Sequence, residues 1–274
     1  MILDTHQHFW QFDPARDTWM TGEIRRDFLL ENAEFVLKEN KVSGCIAVQA
    51  AETEAETLFL LNLAEKSPVI KGVVGWADLK ANDLSERLDF FSQFKKLKGF
   101  RQILQNKPPQ YLLEKTFLDG VKMIGKRGFT YDILVFPKQL SSVKKMLQGL
   151  DNQPFVMDHL AKPYIKKKLI RQWAKDMRTL TSFEHLHIKL SGMVTEADHQ
   201  NWKERDFHPY LDVVFEAFGV DRVFYGSDYP VCLLAADYGQ QLTILTNYLK
   251  EKAHLSAPEI AQILGENGAK FYGV

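Results

Sequence analysis

Short apolar runs rich in β-branched and aromatic residues recur from one end of the chain to the other, and each is followed by a stretch with helical spacing. Runs of this length and composition are typical of buried strands. The pattern predicts eight strands, at residues 2–6, 44–50, 69–77, 97–103, 129–136, 154–160, 185–192 and 222–229.

The stretches between these runs carry apolar residues three and four positions apart, the spacing of a helix with one buried face. They predict eight helices, at residues 28–39, 55–66, 84–95, 112–126, 140–150, 165–180, 210–218 and 240–250. This alternation favours an α/β fold, a single-domain (β/α)₈ TIM barrel over residues 1–274. An extra C-terminal helix at 258–271 is expected to close the barrel bottom. An open doubly wound sheet is the alternative, but the glycine-rich phosphate loop expected after its first strand is missing.

The composition narrows the functional classes. The 274 residues are 45% hydrophobic with a formal net charge of zero, so no excess charge indicates binding to nucleic acid or a membrane surface. Cys45 and Cys232 lie inside apolar runs, the first residues lack the features of a secretory signal, and no apolar stretch approaches the roughly 20 residues that cross a bilayer. We expect a cytoplasmic protein that acts on a small molecule, and a homo-oligomer is compatible with these features.

Two pairs of histidines share the same spacing, with one residue between the two members. Alternate residues of a strand point to the same face, with Cα atoms about 6 to 7 Å apart, so either pair could converge on one atom. His6 and His8 end the first predicted strand, whereas His185 and His187 open the seventh. Because barrel active sites lie at the C-terminal ends of the strands, the first pair is favoured as functional and the second as structural.

Polar residues also end other predicted strands, which is unusual for a purely structural core. Arg101 and Gln102 end the fourth strand, His159 the sixth and Asp228 the eighth. His159 could instead be a core histidine beside the apolar residues of its own strand. Asp228 could instead accept backbone N–H bonds at the loop that follows. An aspartate that closes an apolar run is nevertheless costly to bury without a cation or a donor, which favours a functional site.

The strand-end motifs DTHQHFW, GFRQ, MDHLAKP, KLSGM and YGSDYP follow one another along nearly the whole chain. In this order they resemble the amidohydrolase superfamily, specifically its amidohydrolase-2 branch of sugar-lactone hydrolases. That group includes L-fuconolactone and L-rhamnonolactone hydrolases and 2-pyrone-4,6-dicarboxylate lactonase. The resemblance implies a catalytic cluster of His6, His8, His159 and Asp228, with Arg101 binding the substrate or polarising its carbonyl group. Arg101 stands where other branches place a lysine or glutamate that bridges two metal ions, so a binuclear centre is not expected.

Ester hydrolysis requires a base for the attacking water and donors for the oxyanion that develops. Asp228 is the best candidate base, and Arg101 with the histidines supplies candidate donors. Three imidazoles and one carboxylate could also hold Zn²⁺, which lowers the pKa of its bound water to about 7. The resembled lactonases include members that work without metal, so we expect either no required cofactor or one divalent ion on His6, His8, His159 and Asp228.

Other residues near the strand ends and the first loop are candidates for substrate contacts: Trp10, Trp76, Arg101, Gln102, Asp132 and Tyr229. For the aromatic residues, packing of a long loop is the alternative. The predicted function is hydrolysis of a small lactone, such as a sugar-acid lactone. A metal-dependent decarboxylase of the same branch is one alternative, and a binding protein that retains a decayed barrel is another.

Overall fold

Eight parallel strands form one sheet in the order β1 to β8, with neighbours in the chain paired in space. The computed structural model describes residues 1–150 and 153–274. The strands are β1 (Leu3–Gln7), β2 (Gly44–Val48), β3 (Ile70–Gly75), β4 (Leu97–Gln102), β5 (Thr130–Ile133), β6 (Phe155–Met157), β7 (Leu186–Leu190) and β8 (Val223–Tyr225). The predicted (β/α)₈ barrel is confirmed.

One α-helix follows each strand and packs outside the barrel. The helices are α1 (Leu30–Glu39), α2 (Glu54–Lys66), α3 (Leu84–Phe91), α4 (Lys115–Lys126), α5 (Leu140–Gln148), α6 (Arg171–Thr179), α7 (His208–Phe218) and α8 (Tyr238–Asn247). The chain ends with α9 (Ala257–Ala261), a π-helix at Gln262–Glu266, and α10 (Asn267–Tyr272). The predicted extra C-terminal helix is therefore present.

Several predicted elements were longer than the observed ones, and for two of them positive φ angles give the reason. The strand predicted at 154–160 ends at Met157, because His159 to Lys162 adopt positive φ angles that no strand can accommodate. The helix predicted at 165–180 begins only at Arg171, because Lys168 also has a positive φ and the preceding residues form turns.

Backbone bonds between the first and last strands close the barrel. The Asp228 N–H donates to His6 O at 2.9 Å, and the His8 N–H donates to Tyr229 O at 2.7 Å. The register of β1 against β2 shifts between Asp4 and Gln7. Closure therefore places the polar end of β1 directly beside the loop that leaves β8.

The lower part of the barrel interior is apolar. A compact cluster of buried residues fills it: Ile46, Val48, Val74, Val156, Phe224 and Tyr272. Tyr272 comes from α10, so the C-terminal helix contributes a side chain to the inside of the barrel as well as covering its base. None of the helices in residues 1–150 and 153–274 is long and apolar enough to span a membrane.

The second histidine pair lies at this lower end. His185 immediately precedes β7, and the His187 ring centroid lies 4.9 Å from that of Phe271 and 6.0 Å from that of Phe224. Both partner rings belong to the base of the barrel. His185 and His187 are thus at the rim opposite the strand ends that carry His6 and His8.

This position predicts a dependence of stability on pH. Burial lowers the pKa of His187 from 6.5 to about 4, so the unfolded chain binds more protons between these values. The free energy of unfolding should therefore fall as the pH is lowered through this window, by up to about 3 kcal/mol from this group. In urea unfolding at several pH values, His187→Phe should lose less stability on acidification than the wild type. Equal acid-side losses in both proteins would contradict the assignment.

Candidate active site

Three histidines and one aspartate meet at the C-terminal mouth of the barrel. Asp228 Oδ1 lies 3.4 Å from His8 Nε2, 3.8 Å from His159 Nε2 and 3.9 Å from His6 Nε2. All four side chains are buried. The structure thus brings together every member of the predicted cluster, while their catalytic roles stay predictions at this point.

Hydrogen bonds on the far side of two rings orient their free nitrogens. His8 Nδ1 lies 2.7 Å from Val48 O; because a carbonyl oxygen only accepts, Nδ1 donates in this contact, and the ring is fixed so that Nε2 faces Asp228. His159 Nδ1 lies 2.8 Å from Ser191 Oγ. Ser191 therefore positions the ring of His159.

A left-handed turn follows β6 and carries His159. The four residues from His159 to Lys162 have φ angles between 48° and 58°. Left-handed conformations cost roughly 1–2 kcal/mol for each non-glycine residue, so the surroundings must stabilise the turn. Lys162 N donates to His159 O at 2.7 Å, and Trp173 Nε1 donates to Leu160 O at 2.8 Å. His159 and Lys162, three residues apart, both line the same cavity.

Arg101 reaches the cluster from the end of β4. Its Nη1 lies 3.1 Å from His6 Nε2 and donates to Asp158 Oδ2 at 3.0 Å, while its Nη2 donates to Gln49 O. Since a guanidinium only donates, His6 Nε2 is an acceptor in this arrangement. Lys189 Nζ lies 3.2 Å from His6 Nδ1, on the other side of the ring. His6 is therefore enclosed between two cations.

A buried ionic network lies directly beneath the cluster. Lys189 Nζ donates to Asp132 Oδ2 at 2.5 Å and lies 3.1 Å from Asp158 Oδ1. Tyr272 OH, from α10, donates to the same Asp132 oxygen at 2.7 Å. With Arg101, the network contains two cations and two carboxylates. We refer to Arg101, Asp132, Asp158 and Lys189 as the buried network.

The network and burial together set the charges of the site. Burial lowers the pKa of His6 well below its usual value, and Lys189 lowers it further. Burial likewise lowers the pKa of His159 to about 4. Burial would raise the pKa of Asp158, but Lys189, His6 and Arg101 hold it well below its usual value. His6 and His159 are therefore neutral near pH 7, whereas Asp158 is ionised.

Asp228 is ionised as well. Burial would raise its pKa, but the charge that His159 acquires in acid, the hydrogen bond from His8 and the charge of His6 together hold it well below its usual value. Asp132 differs, because burial raises its pKa to about 6 despite the opposing charge of Lys189. Asp228, at the mouth of the barrel, is thus more readily ionised than Asp132.

A cavity of about 270 Å³ opens above the cluster. Its described lining includes four of the predicted site residues: His8, Arg101, His159 and Asp228. Further polar groups and an apolar surface complete it: Trp19, Ala50, Ile103, Gln105, Asn106, Leu134, Lys162 and Val231. A pocket of this kind, with a few polar groups converging among apolar ones, is typical of a small-molecule site.

The other predicted substrate-binding residues lie behind this lining. Gln102 Nε2 donates to Ala77 O at 2.7 Å and its Oε1 accepts from Trp76 Nε1 at 3.0 Å. Trp10 Nε1 donates to Arg26 O at 2.8 Å. These three side chains use their polar atoms in contacts within the protein, so their proposed contacts with substrate have no support from this geometry.

Two more of these candidates are also engaged elsewhere. Asp132 is fully buried within the network beneath the cluster. The Tyr229 ring packs 5.6 Å from Phe28 and 5.8 Å from Tyr238, measured between ring centroids. Asp132 therefore supports the site from below, and Tyr229 packs the loop after β8.

Sequence reasoning missed Asp158 and Lys189 as site residues, and it did not select Lys162 or Gln105 for the pocket. Lys189 offered a signal, since a lysine inside the apolar strand HLHIKLSG needs a buried counter-charge. The sequence signal for Asp158 was weaker: it is the residue next to His159, which had already been selected. The pocket residues of the loops have no spacing that marks them.

The donor set at the mouth fits one metal ion. One ligand atom from each of His6, His159 and Asp228 lies within 4.8 Å of the others, and His8 Nε2 also faces Asp228. Imidazole nitrogens and a carboxylate oxygen are ligands that zinc uses in proteins, so the residue types present fit the ion. The hydrogen bond from Arg101 to His6 Nε2 would compete with such an ion for that lone pair.

Comparison with known families decides which group of proteins this site belongs to. The model of the Amidohydrolase family matches residues 3–274. The chain belongs to the amidohydrolase family. This amidohydrolase is 34% identical to a protein of Burkholderia multivorans named L-fucono-1,5-lactonase, over 99% of this chain and 96% of that protein. It is 29% identical to a protein of the same name from Burkholderia ambifaria, over 99% of this chain and 95% of that one.

A solved structure of an amidohydrolase from Burkholderia multivorans, described with bound zinc, has the same fold. Its TM-score against this amidohydrolase is 0.96 at 34% sequence identity, and the match covers 100% of this chain and 99% of that chain. The full-length match agrees with the barrel and with its C-terminal helices.

The buried network predicts a distinctive pattern of stability. Lys189→Met leaves buried carboxylates without a cation, and loss of one partner of a buried pair typically costs about 3–5 kcal/mol. Adding Asp132→Asn should restore part of that stability, because one unpaired carboxylate is then removed while Asp158 keeps Arg101. Urea unfolding at neutral pH measures both variants. If the double variant were no more stable than Lys189→Met, the network would not be the cause of the loss.

Proposed function

We propose that this amidohydrolase opens the ring of a small sugar-acid lactone, such as L-fuconolactone or L-rhamnonolactone. The observation that carries the proposal is the ionised Asp228 carboxylate, held beside neutral His6 and His159 and exposed to a cavity that Arg101 also lines. Such a group can accept a proton from water at neutral pH. The relatives named L-fucono-1,5-lactonase support a lactone as the substrate.

In the proposed reaction, a water molecule bonded to Asp228 attacks the lactone carbonyl carbon, and Asp228 accepts the water proton. Negative charge develops on the carbonyl oxygen, which the fixed charge of Arg101 stabilises. The bond between the carbonyl carbon and the ring oxygen then breaks. Asp228 returns its proton to the ring oxygen, so the product is an open-chain hydroxy acid and the carboxylate is regenerated.

The histidines keep this base in position. His8 and His159 each present Nε2 towards Asp228 Oδ1 while their Nδ1 atoms are fixed by Val48 O and Ser191 Oγ. The neutral ring of His159 can bind the attacking water without neutralising the carboxylate. Asp158 supports the same arrangement indirectly, since it holds the Arg101 guanidinium next to His6.

We further propose that His6, His8, His159 and Asp228 can hold one divalent ion, but that lactone hydrolysis does not require it. When bound there, zinc would supply a Lewis acid and a water of lowered pKa. A lactone is an activated ester, and Arg101 already provides a permanent positive charge beside the cluster. The zinc described in the related structure supports the capacity for binding.

A metal-dependent decarboxylase is the less supported function. The relatives that are 34% and 29% identical to this chain are both named L-fucono-1,5-lactonase. We also place the reaction in the cytoplasm, which fits the two free, buried cysteines Cys45 and Cys232.

Replacing the base tests the mechanism. Asp228→Asn keeps the size of the side chain and removes its basicity, so kcat/KM should fall about 10²-fold or more. A pH-indicator screen of sugar-acid lactones identifies the substrate and then measures the variant. Asp198→Asn, which changes a loop carboxylate outside the pocket lining, serves as the control and should retain activity. Near wild-type turnover by Asp228→Asn would transfer the role of base to another residue, with His159 the first to test.

Removing metal tests the cofactor proposal. Dialysis against a chelator should leave kcat/KM for the best lactone nearly unchanged, because Arg101 and Asp228 remain in place. Zinc added to the dialysed protein should raise its melting temperature, since an ion that binds only the folded state stabilises it. Activity that disappears with the chelator and returns with zinc would show that the ion is required.

A further inference from the structure

Lys162 and Arg101 are the two basic side chains, lysine or arginine, in the described lining of the cavity. Lys162 lies at the end of the left-handed turn that carries His159, so the strained backbone delivers both a cluster histidine and this ammonium to one pocket. Strain of this kind persists where the position of a side chain matters to function. The mechanism proposed above gives Lys162 no role.

Two partners hold the Lys162 ammonium in place. Lys162 Nζ donates to Gln105 Oε1 at 3.2 Å and lies 3.2 Å from Glu196 Oε1. Their side chains are largely shielded, with 18% of Lys162 and 16% of Glu196 exposed. An ammonium group has three N–H donors, so these two contacts leave one for an oxygen atom in the cavity.

Glu196 also determines which oxygen atoms this wall favours. Because the Lys162–Glu196 pair carries no net charge, a neutral hydroxyl group can accept the remaining N–H bond without repulsion. A carboxylate at the same place would face the carboxylate of Glu196, and this reduces the attraction of the lysine for anions. Gln105, whose carbonyl oxygen is used by Lys162, can offer its amide N–H groups to the same ligand.

From these contacts we infer that Lys162 is a specificity-determining residue that binds a hydroxyl group of the lactone, remote from the scissile bond, and that Glu196 tunes this wall for neutral substrates. The inference rests on the proposed lactone hydrolysis and names the feature of the substrate that is recognised. A hydrogen bond to a charged donor is stronger than one between neutral groups, so its loss is measurable in kcat/KM.

The test combines a change in the enzyme with a change in the substrate. Lys162→Met, the double variant Lys162→Met/Glu196→Gln and the wild type are compared on a hydroxylated sugar lactone and on analogues that each lack one hydroxyl group. The double variant removes both charges, so it remains informative if an unpaired Glu196 destabilises the single variant. Lys167→Met is the matched control, because Lys167 is an exposed lysine of the same segment that does not line the cavity.

We expect Lys162→Met and the double variant to lose about 10- to 100-fold in kcat/KM on the hydroxylated lactone. On the analogue that lacks the recognised hydroxyl group, wild type and variants should be nearly equal. Lys167→Met should match the wild type on all substrates. Equal losses of kcat/KM on every lactone would overturn the inference, because they would place Lys162 at the reacting carbonyl. Unchanged kcat/KM on every lactone would also overturn it. If the wild type opened no lactone at all, the proposed function itself would fail, and the role of Lys162 with it.

The variant Glu196→Gln tests the role of Glu196 independently of the lysine variants. It leaves the Lys162 charge uncompensated, so hydrolysis of a lactone that bears a carboxylate should improve relative to hydrolysis of the neutral sugar lactone. An unchanged or reversed ratio would refute the part assigned to Glu196. Neither outcome depends on whether the single lysine variant folds.

Discussion

The buried network inside the barrel is the constraint on which the site depends. Arg101, Asp132, Asp158 and Lys189 are all enclosed, and an isolated charge at such a depth would be prohibitively costly. Two cations and two carboxylates satisfy the requirement only when all four are in place, because removing one leaves its partner uncompensated. This mutual dependence fixes Arg101 and the ring of His6 beneath the cavity.

The buried network also influences the protonation states of the residues at the mouth of the barrel. Burial, aided by the charge of Lys189, lowers the pKa of His6 despite the opposing charge of Asp158 and keeps its imidazole neutral, and burial does the same for His159. The backbone bonds that close the barrel bring Asp228 against these rings. A carboxylate that stays ionised among neutral imidazoles is suited to accept a proton from water, and the same lone pairs suit a divalent ion.

The C-terminal helix contributes more than a cover. Tyr272 passes from α10 into the apolar base of the barrel and donates to Asp132, which in turn accepts from Lys189. The end of the chain is therefore linked by hydrogen bonds to the network that supports His6. The left-handed turn after β6 is a second example of structure maintained against local preference, since Trp173 and backbone bonds stabilise it from outside the barrel.

Periodicity determined the fold, and the parallel arrangement of strands placed the polar strand ends at one mouth of the barrel. The resemblance of the strand-end motifs to amidohydrolases then selected the cluster His6, His8, Arg101, His159 and Asp228 from those residues. Strand-end position separated His6 and His8 from His185 and His187. Only the tertiary structure decided which polar residues face the cavity and which support it from behind, as Asp132 and Lys162 demonstrate. Their positions depend on the barrel register and on a left-handed turn, which long-range packing stabilises and which local sequence preferences oppose.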